Sequence, residues 1–171
     1  AGNEAYFSGT PSNEGYGGAG VFMAGHCTVN VTGGYITNNN CSEYTQRTFC
    51  NGGGAFIVWS STLNIQGGYL TGNAGPGGGA IMTVRITHDV FDDAQYAEGG
   101  KIYMTGGFVS GNASHVKEGG GISIDGYGYM SLTGGYVTNN RAGVTNSSTF
   151  GDWGGGGIFV SDHHALLYVE N

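Results

Sequence analysis

Four segments of this chain align without a gap: GGYITNN from Gly33, GGYLTGN from Gly67, GGFVSGN from Gly106 and GGYVTNN from Gly134. A second glycine-rich motif alternates with them, as GGAGVF from Gly17, GGGAFI from Gly52, GGGAIM from Gly77, GGGISI from Gly119 and GGGGIFV from Gly154. The motifs are constant and the stretches between them vary in length. Self-similarity of this kind marks an architecture whose units stack on their neighbours and project loops of variable length. Between the motifs lie short runs such as TLNIQ (Thr62–Gln66) and YMSLT (Tyr129–Thr133), rich in strand-forming residues. Apolar residues recur every second position, not every 3.6, and glycine interrupts every candidate helix. The pattern predicts an all-β fold in which short strands coil and stack as a parallel β-helix, with rungs about 4.8 Å apart. Residues 1–171 are expected to form one such domain.

Composition narrows the alternatives. Glycine supplies 37 of 171 residues but proline only 2, which excludes collagen and Pro/Gly linkers. Charged residues are 10% of the chain, too few for a solvent-exposed helical bundle. Hydrophobic residues at 39% and aromatics at 12% oppose disorder. The net charge is −7 with five Lys and Arg in all, so there is no basic stripe for nucleic acid. No apolar run is long enough to span a membrane. The chain opens in polar sequence without a charged-then-apolar leader, and the expectation is of a segment whose signal has been removed.

Stacking in register turns the repeats into ladders. Ile36, Leu70, Val109 and Val137 form an inward aliphatic stack, and Asn39, Asn73, Asn112 and Asn140 form a second ladder three residues on. Asparagine suits that place because it tolerates left-handed turns and its amide can bond to its copy on the next rung. Tyr35, Tyr69, Phe108 and Tyr136 alternate with the aliphatic stack and so face outward. Thr37, Thr71, Ser110 and Thr138 share that outer face.

With these residues in place the chain resembles adhesin-like β-helix repeats of large bacterial and methanogen surface proteins. It also resembles the repeats of the chlamydial polymorphic outer-membrane proteins. Met104–Asn112 (MTGGFVSGN), Leu132–Asn140 (LTGGYVTNN) and Gly154–Val160 (GGGGIFV) carry the likeness, which runs from about Gly17 to Val160. The outer aromatic is a departure, since those repeats often carry threonine there. The resemblance implies a single right-handed parallel β-helix, or β-solenoid, of about five coils with loop insertions. It also implies an extracellular or cell-surface structural role as a stalk, adhesin segment or fibre subunit.

Both ends fall within a unit. AYFSGT (Ala5–Thr10) matches a unit's end, with Phe7 and Thr10 in the aliphatic and asparagine places. HALLYVEN stops where other units continue to Gly-Gly. An uncapped solenoid exposes strand edges. The expected partners are therefore adjoining β-helix repeats or a second copy stacked head to tail.

Several residues invite chemistry. The loop from Thr83 to Gly99 holds His88, Asp89, Asp92, Asp93 and Glu98. It can be a solvated acidic loop, a calcium site built on Asp89, Asp92 and Asp93, or the carboxylate pair of a polysaccharide-cleaving enzyme acting through Asp89–Glu98. Asp162, His163 and His164 form a second polar cluster, but alternation sends the two histidines to opposite faces, as in a surface turn. No Gly-x-Ser-x-Gly elbow or Gly-Lys-Ser/Thr loop is present. No enzymatic activity, cofactor or catalytic residue is assigned. Cys41 and Cys50 bracket a polar loop and can close it as a disulfide, or stay reduced with Cys27. Sequons occur at Asn30, Asn40, Asn112 and Asn146, of which Asn40 and Asn146, in predicted loops, are the better acceptors. The Tyr/Phe stripe with its Thr/Ser neighbours is the most regular surface. It can stack on surface glycans, order ice, or simply stabilise itself.

Overall fold

The computed structural model describes residues 2–6, 20–42, 54–75, 77–84, 99–115, 119–143, 154–161 and 164–170. Among these residues all regular structure is strand, with no helix. The strands are β1 (Glu4–Tyr6), β2 (Val21–Met23), β3 (Thr28–Val31), β4 (Tyr35–Thr37), β5 (Asn40–Ser42), β6 (Phe56–Trp59), β7 (Thr62–Ile65) and β8 (Tyr69–Thr71). They continue as β9 (Ala74–Gly75), β10 (Ile81–Val84), β11 (Lys101–Ser110), β12 (Ala113–Ser114), β13 (Ile122–Ile124), β14 (Tyr129–Thr138), β15 (Ile158–Val160) and β16 (Leu166–Val169). No helix among the described residues is long and apolar enough to cross a membrane.

Every pairing between these strands is parallel, and none of the three sheets closes on itself. A five-stranded sheet runs β15-β13-β10-β6-β2, a seven-stranded one β16-β14-β11-β7-β3 with β4 and β8, and a four-stranded one β1-β5-β9-β12. The chain visits them in rotation, and each return adds a strand beside the previous one. Register follows the motifs: Tyr35 pairs Tyr69, Ile36 pairs Leu70 and Thr37 pairs Thr71. Phe108, Val109 and Ser110 then pair Tyr69, Leu70 and Thr71 on one side and Tyr136, Val137 and Thr138 on the other. Like therefore lies beside like.

Alternation along β7 and β11 sends Leu63, Ile65, Ile102 and Met104 into one cluster with Phe56, Ile81, Ile122 and Met130, all essentially inaccessible to solvent. The five- and seven-stranded sheets thus share a core. Leu70 and Val109 are fully buried in it, while Ile36 and Val137 are partly buried against it. Met82 and Val84 point the other way from β10 into a second small cluster.

The Gly-Gly step is imposed by stacking. Gly68 and Gly107 both have positive φ, +85° and +83°. A Cβ on Gly107 would stand 2.9 Å from the Gly67 carbonyl carbon, inside any real contact distance. The preceding glycine of these two pairs is equally cramped: a Cβ on Gly67 would approach the Thr32 carbonyl oxygen to 2.6 Å, and one on Gly106 would run into the Gln66 carbonyl, whereas Gly33 has open space around it. The turn leaves pairing unbroken, because Tyr69 N–H donates to Gly34 O and Phe108 N–H to Gly68 O, each at 2.9 Å.

One local expectation is corrected. The left-handed residue lies one place before the asparagine ladder, at Asn38 (φ 56°), Gly72 (64°), Gly111 (66°) and Asn139 (54°). This explains why Asn and Gly interchange there: both tolerate that conformation at low cost. At the start of the chain, Gly2 (φ 73°) and Asn3 hold these two places, with Glu4 beside Asn40 and Ala5 beside Cys41. Phe7 and Thr10, expected in the aliphatic and asparagine places, lie outside the described residues.

Candidate functional site

The asparagine ladder anchors one side of each Gly-Gly step. Asn39 Nδ2 donates to Asn73 Oδ1 at 2.9 Å, Asn73 Nδ2 to Asn112 Oδ1 at 3.0 Å, and Asn112 Nδ2 to Asn140 Oδ1 at 2.9 Å. Asn3 Nδ2 adds a further rung to Asn39 Oδ1 at 2.9 Å. Each oxygen also accepts the backbone N–H of the asparagine before it. The second amide hydrogen goes back to a carbonyl of the aliphatic stack, from Asn73 to Ile36 O, Asn112 to Leu70 O and Asn140 to Val109 O, each at 2.9 Å. Asn39, Asn73 and Asn112 are buried. The oxygen and both amide hydrogens of the buried Asn73 and Asn112 are thereby paired, as stability requires.

On that same side, directly after each glycine pair, stand the outer aromatics. Tyr35 and Tyr69, Tyr69 and Phe108, and Phe108 and Tyr136 all stack with ring centroids 5.0 Å apart, at interplanar angles of 10°, 4° and 11°. Tyr35 is 73% exposed and Tyr136 60%, against 39% for Tyr69 between two neighbours. The expectation that sugars lie on open ring faces needs correcting. The rings turn their faces to one another along the stacking direction, so a ligand beside the strip meets ring edges and phenolic hydroxyls. Beside them Thr37, Thr71 and Ser110 are half-buried and Thr138 exposed, with Thr138 Oγ1 donating to Ser110 Oγ at 3.3 Å.

The same outer face continues on the other side of the glycines. Asn30, Asn64, Tyr103, Ser131 and Tyr168 form one row, in which Asn64 Nδ2 donates to Asn30 Oδ1 at 2.8 Å. Tyr129 leans on Tyr103 with centroids 5.7 Å apart. Thr32, Gln66, Thr105 and Thr133 flank the glycine pairs and are exposed. Among the described outward residues of this sheet, Lys101 and Glu170 are the only charges. The rest of the surface is built from hydroxyls, amides and aromatic edges, with the exposed Leu166 beside Tyr129 at one end.

Other sequence candidates fall elsewhere. His88, Asp89, Asp92, Asp93 and Glu98 lie outside the described residues, as do Cys50, Asn146, Asp162 and His163. Cys41 is buried in β5, and Cys27 Sγ donates to Ser61 Oγ at 3.3 Å. Asn40 belongs to strand β5 instead of a loop, and its Oδ1 faces His115 Nε2 at 3.4 Å. Asn112, with both amide hydrogens committed inside the ladder, is closed to glycosylation, whereas Asn30 is exposed on β3.

One corner is braced in a way the sequence does not announce. Thr83 Oγ1 accepts from Asp125 N–H at 2.8 Å and donates to Asp125 O at 2.9 Å. The Asp125 carboxylate in turn accepts from Gly126 N–H at 2.7 Å and Ser161 Oγ at 3.0 Å. Nearby, the His164 ring stacks on Tyr127, 4.2 Å away at 9°. These contacts tie three successive units at the corner between the five- and seven-stranded sheets. The chain matches no protein-family model, no curated protein and no solved structure.

Proposed function

We propose that the chain is a single right-handed parallel β-helix acting as an extracellular structural element, a surface stalk or adhesin-like segment that presents its lateral face to partners. The observation that carries the reading is the continuity of unlike ladders over the same units. The buried asparagine amides, the aliphatic stack and the ring stack all keep register across intervals of 34, 39 and 28 residues. Such continuity supports a rod whose stiffness accumulates unit by unit, each stabilised by its neighbours. Strand β16 supports axial stacking against further coils or a second copy, since Leu167 and Val169, in register with the core-facing Met130 and Leu132, are 37% and 60% exposed. Negative-stain microscopy and X-ray diffraction of aligned native material test the proposal. Rods or fibres with an axial repeat of about 4.8 Å are expected. Compact particles without that repeat overturn it.

A further inference from the structure

We propose that the outer face of the seven-stranded sheet binds an extended, neutral 1,4-linked polysaccharide that lies along the stacking direction, one sugar to one rung. The inference rests on the strand order and register of that sheet and stands apart from the stalk reading.

Periodicity is the first argument. Tyr35, Tyr69, Phe108 and Tyr136 repeat every 5.0 Å. The advance per sugar of an extended 1,4-linked chain is close to that spacing. Successive sugars then meet the same set of groups without either partner bending. A polypeptide strand laid the same way drifts out of phase, because its rise per residue is about 3.3 Å.

Charge supplies the second. The face carries only Lys101 and Glu170 among its described outward residues, and the whole chain carries −7. An acidic polysaccharide would be repelled and find no cation row to neutralise it. A neutral one exchanges water for hydroxyl and amide partners without burying a charge.

The third is preorganisation. Each inner ring is held by two others, and the asparagine ladder fixes the backbone behind it, so little side-chain freedom remains to be lost on binding. The glycine pairs leave a strip bare of side chains between the aromatics and Thr105 with its counterparts. A chain of sugars resting there lies within reach of both rows. Ring edges carry the positive end of the aromatic quadrupole and suit sugar oxygens. One rung is deficient, because Phe108 lacks the hydroxyl its neighbours carry.

Calorimetric titration of the whole chain with 1,4-linked glucose, mannose, xylose and N-acetylglucosamine oligomers, from dimer to hexamer, tests this. At least one series is expected to bind, with affinity rising for each added sugar and levelling once all four stacked rings are occupied. Tyr69→Phe should weaken that binding about fivefold and Phe108→Tyr should tighten it about fivefold, the worth of one hydrogen bond. Both changes keep the ring stack, so folding is preserved, and the thermal melt verifies it. The proposal is overturned if no series binds, if affinity ignores oligomer length, if both variants leave it unchanged, or if oligogalacturonate binds as well. Copies pairing through this face while no oligomer binds also overturn it.

Discussion

Asn112 Oδ1 accepts twice from Asn73, from its backbone N–H at 2.9 Å and from its side-chain Nδ2 at 3.0 Å. One oxygen thereby fixes both the backbone and the side chain of the unit below. The arrangement needs a side chain with an acceptor and two donors on one short stem, which only asparagine supplies.

Asn73→Ala should therefore cost at least ~3 kcal/mol in chemical denaturation, because Asn39 N, Asn39 Nδ2 and Ile36 O all lose a buried partner. Asn73→Asp should be worse at neutral pH and recover in acid. Burial and the facing Ile36 and Asn112 oxygens raise the carboxyl above its unfolded value. The penalty is then absent while both states are protonated and grows as pH rises through the ordinary carboxylate range. A denaturation series against pH that rises or stays flat instead contradicts this account.

Two glycines of identical conformation should respond differently to the same substitution. Gly34 and Gly107 both have φ of +83°, yet a Cβ on Gly34 meets nothing within 4 Å while one on Gly107 meets Gly67. Gly34→Ala should cost about 1–2 kcal/mol, the left-handed penalty alone. Gly107→Ala should cost at least ~3 kcal/mol, because overpacking adds to it. Equal thermal shifts for the two would show that the Gly-Gly requirement is conformational and owes nothing to stacking.

Ring stacking should be readable by position. Tyr69 has a neighbour on each side and Tyr35 one. At about 0.5–1.5 kcal/mol per aromatic pair, Tyr69→Ala should cost roughly twice what Tyr35→Ala does. A double-mutant cycle on Tyr69 and Phe108 should return a coupling of the same size for the single pair.

The Thr83 hydroxyl braces a residue far along the chain through two hydrogen bonds. Thr83→Val keeps the shape and removes both, and should lower stability by about 1–3 kcal/mol, whereas Thr83→Ser should be close to neutral. Amide exchange at Asp125 should speed up in the valine variant and not in the serine one.

Strand class and ladder membership are legible in the sequence because glycine pairs occur where backbones approach and asparagines recur at one offset after them. Asn3 escapes because only two residues of its motif, Gly2 and Asn3, precede the strand, leaving too little pattern to align. Asn40 looks like a loop residue because the strands of the four-stranded sheet are two or three residues long and poor in β-branched side chains. Alternation places Tyr35 and its counterparts outside, but it is silent on ring tilt, which decides whether faces or edges meet a ligand. The Thr83–Asp125 brace has no local signature at all, since its partners are brought together only by stacking.

The ladder asparagines lie 36, 34, 39 and 28 residues apart, yet their hydrogen bonds are almost the same length. The molecule therefore counts in whole units and is indifferent to residues. Removing the stretch from Asn39 to Gly72 would set Asn73 directly after Asn38, with Ile36 facing Val109 and Tyr35 facing Phe108, every row closing over the gap. Length can be gained or lost in steps of one unit without rewriting its neighbours, whatever the length of the segments between them.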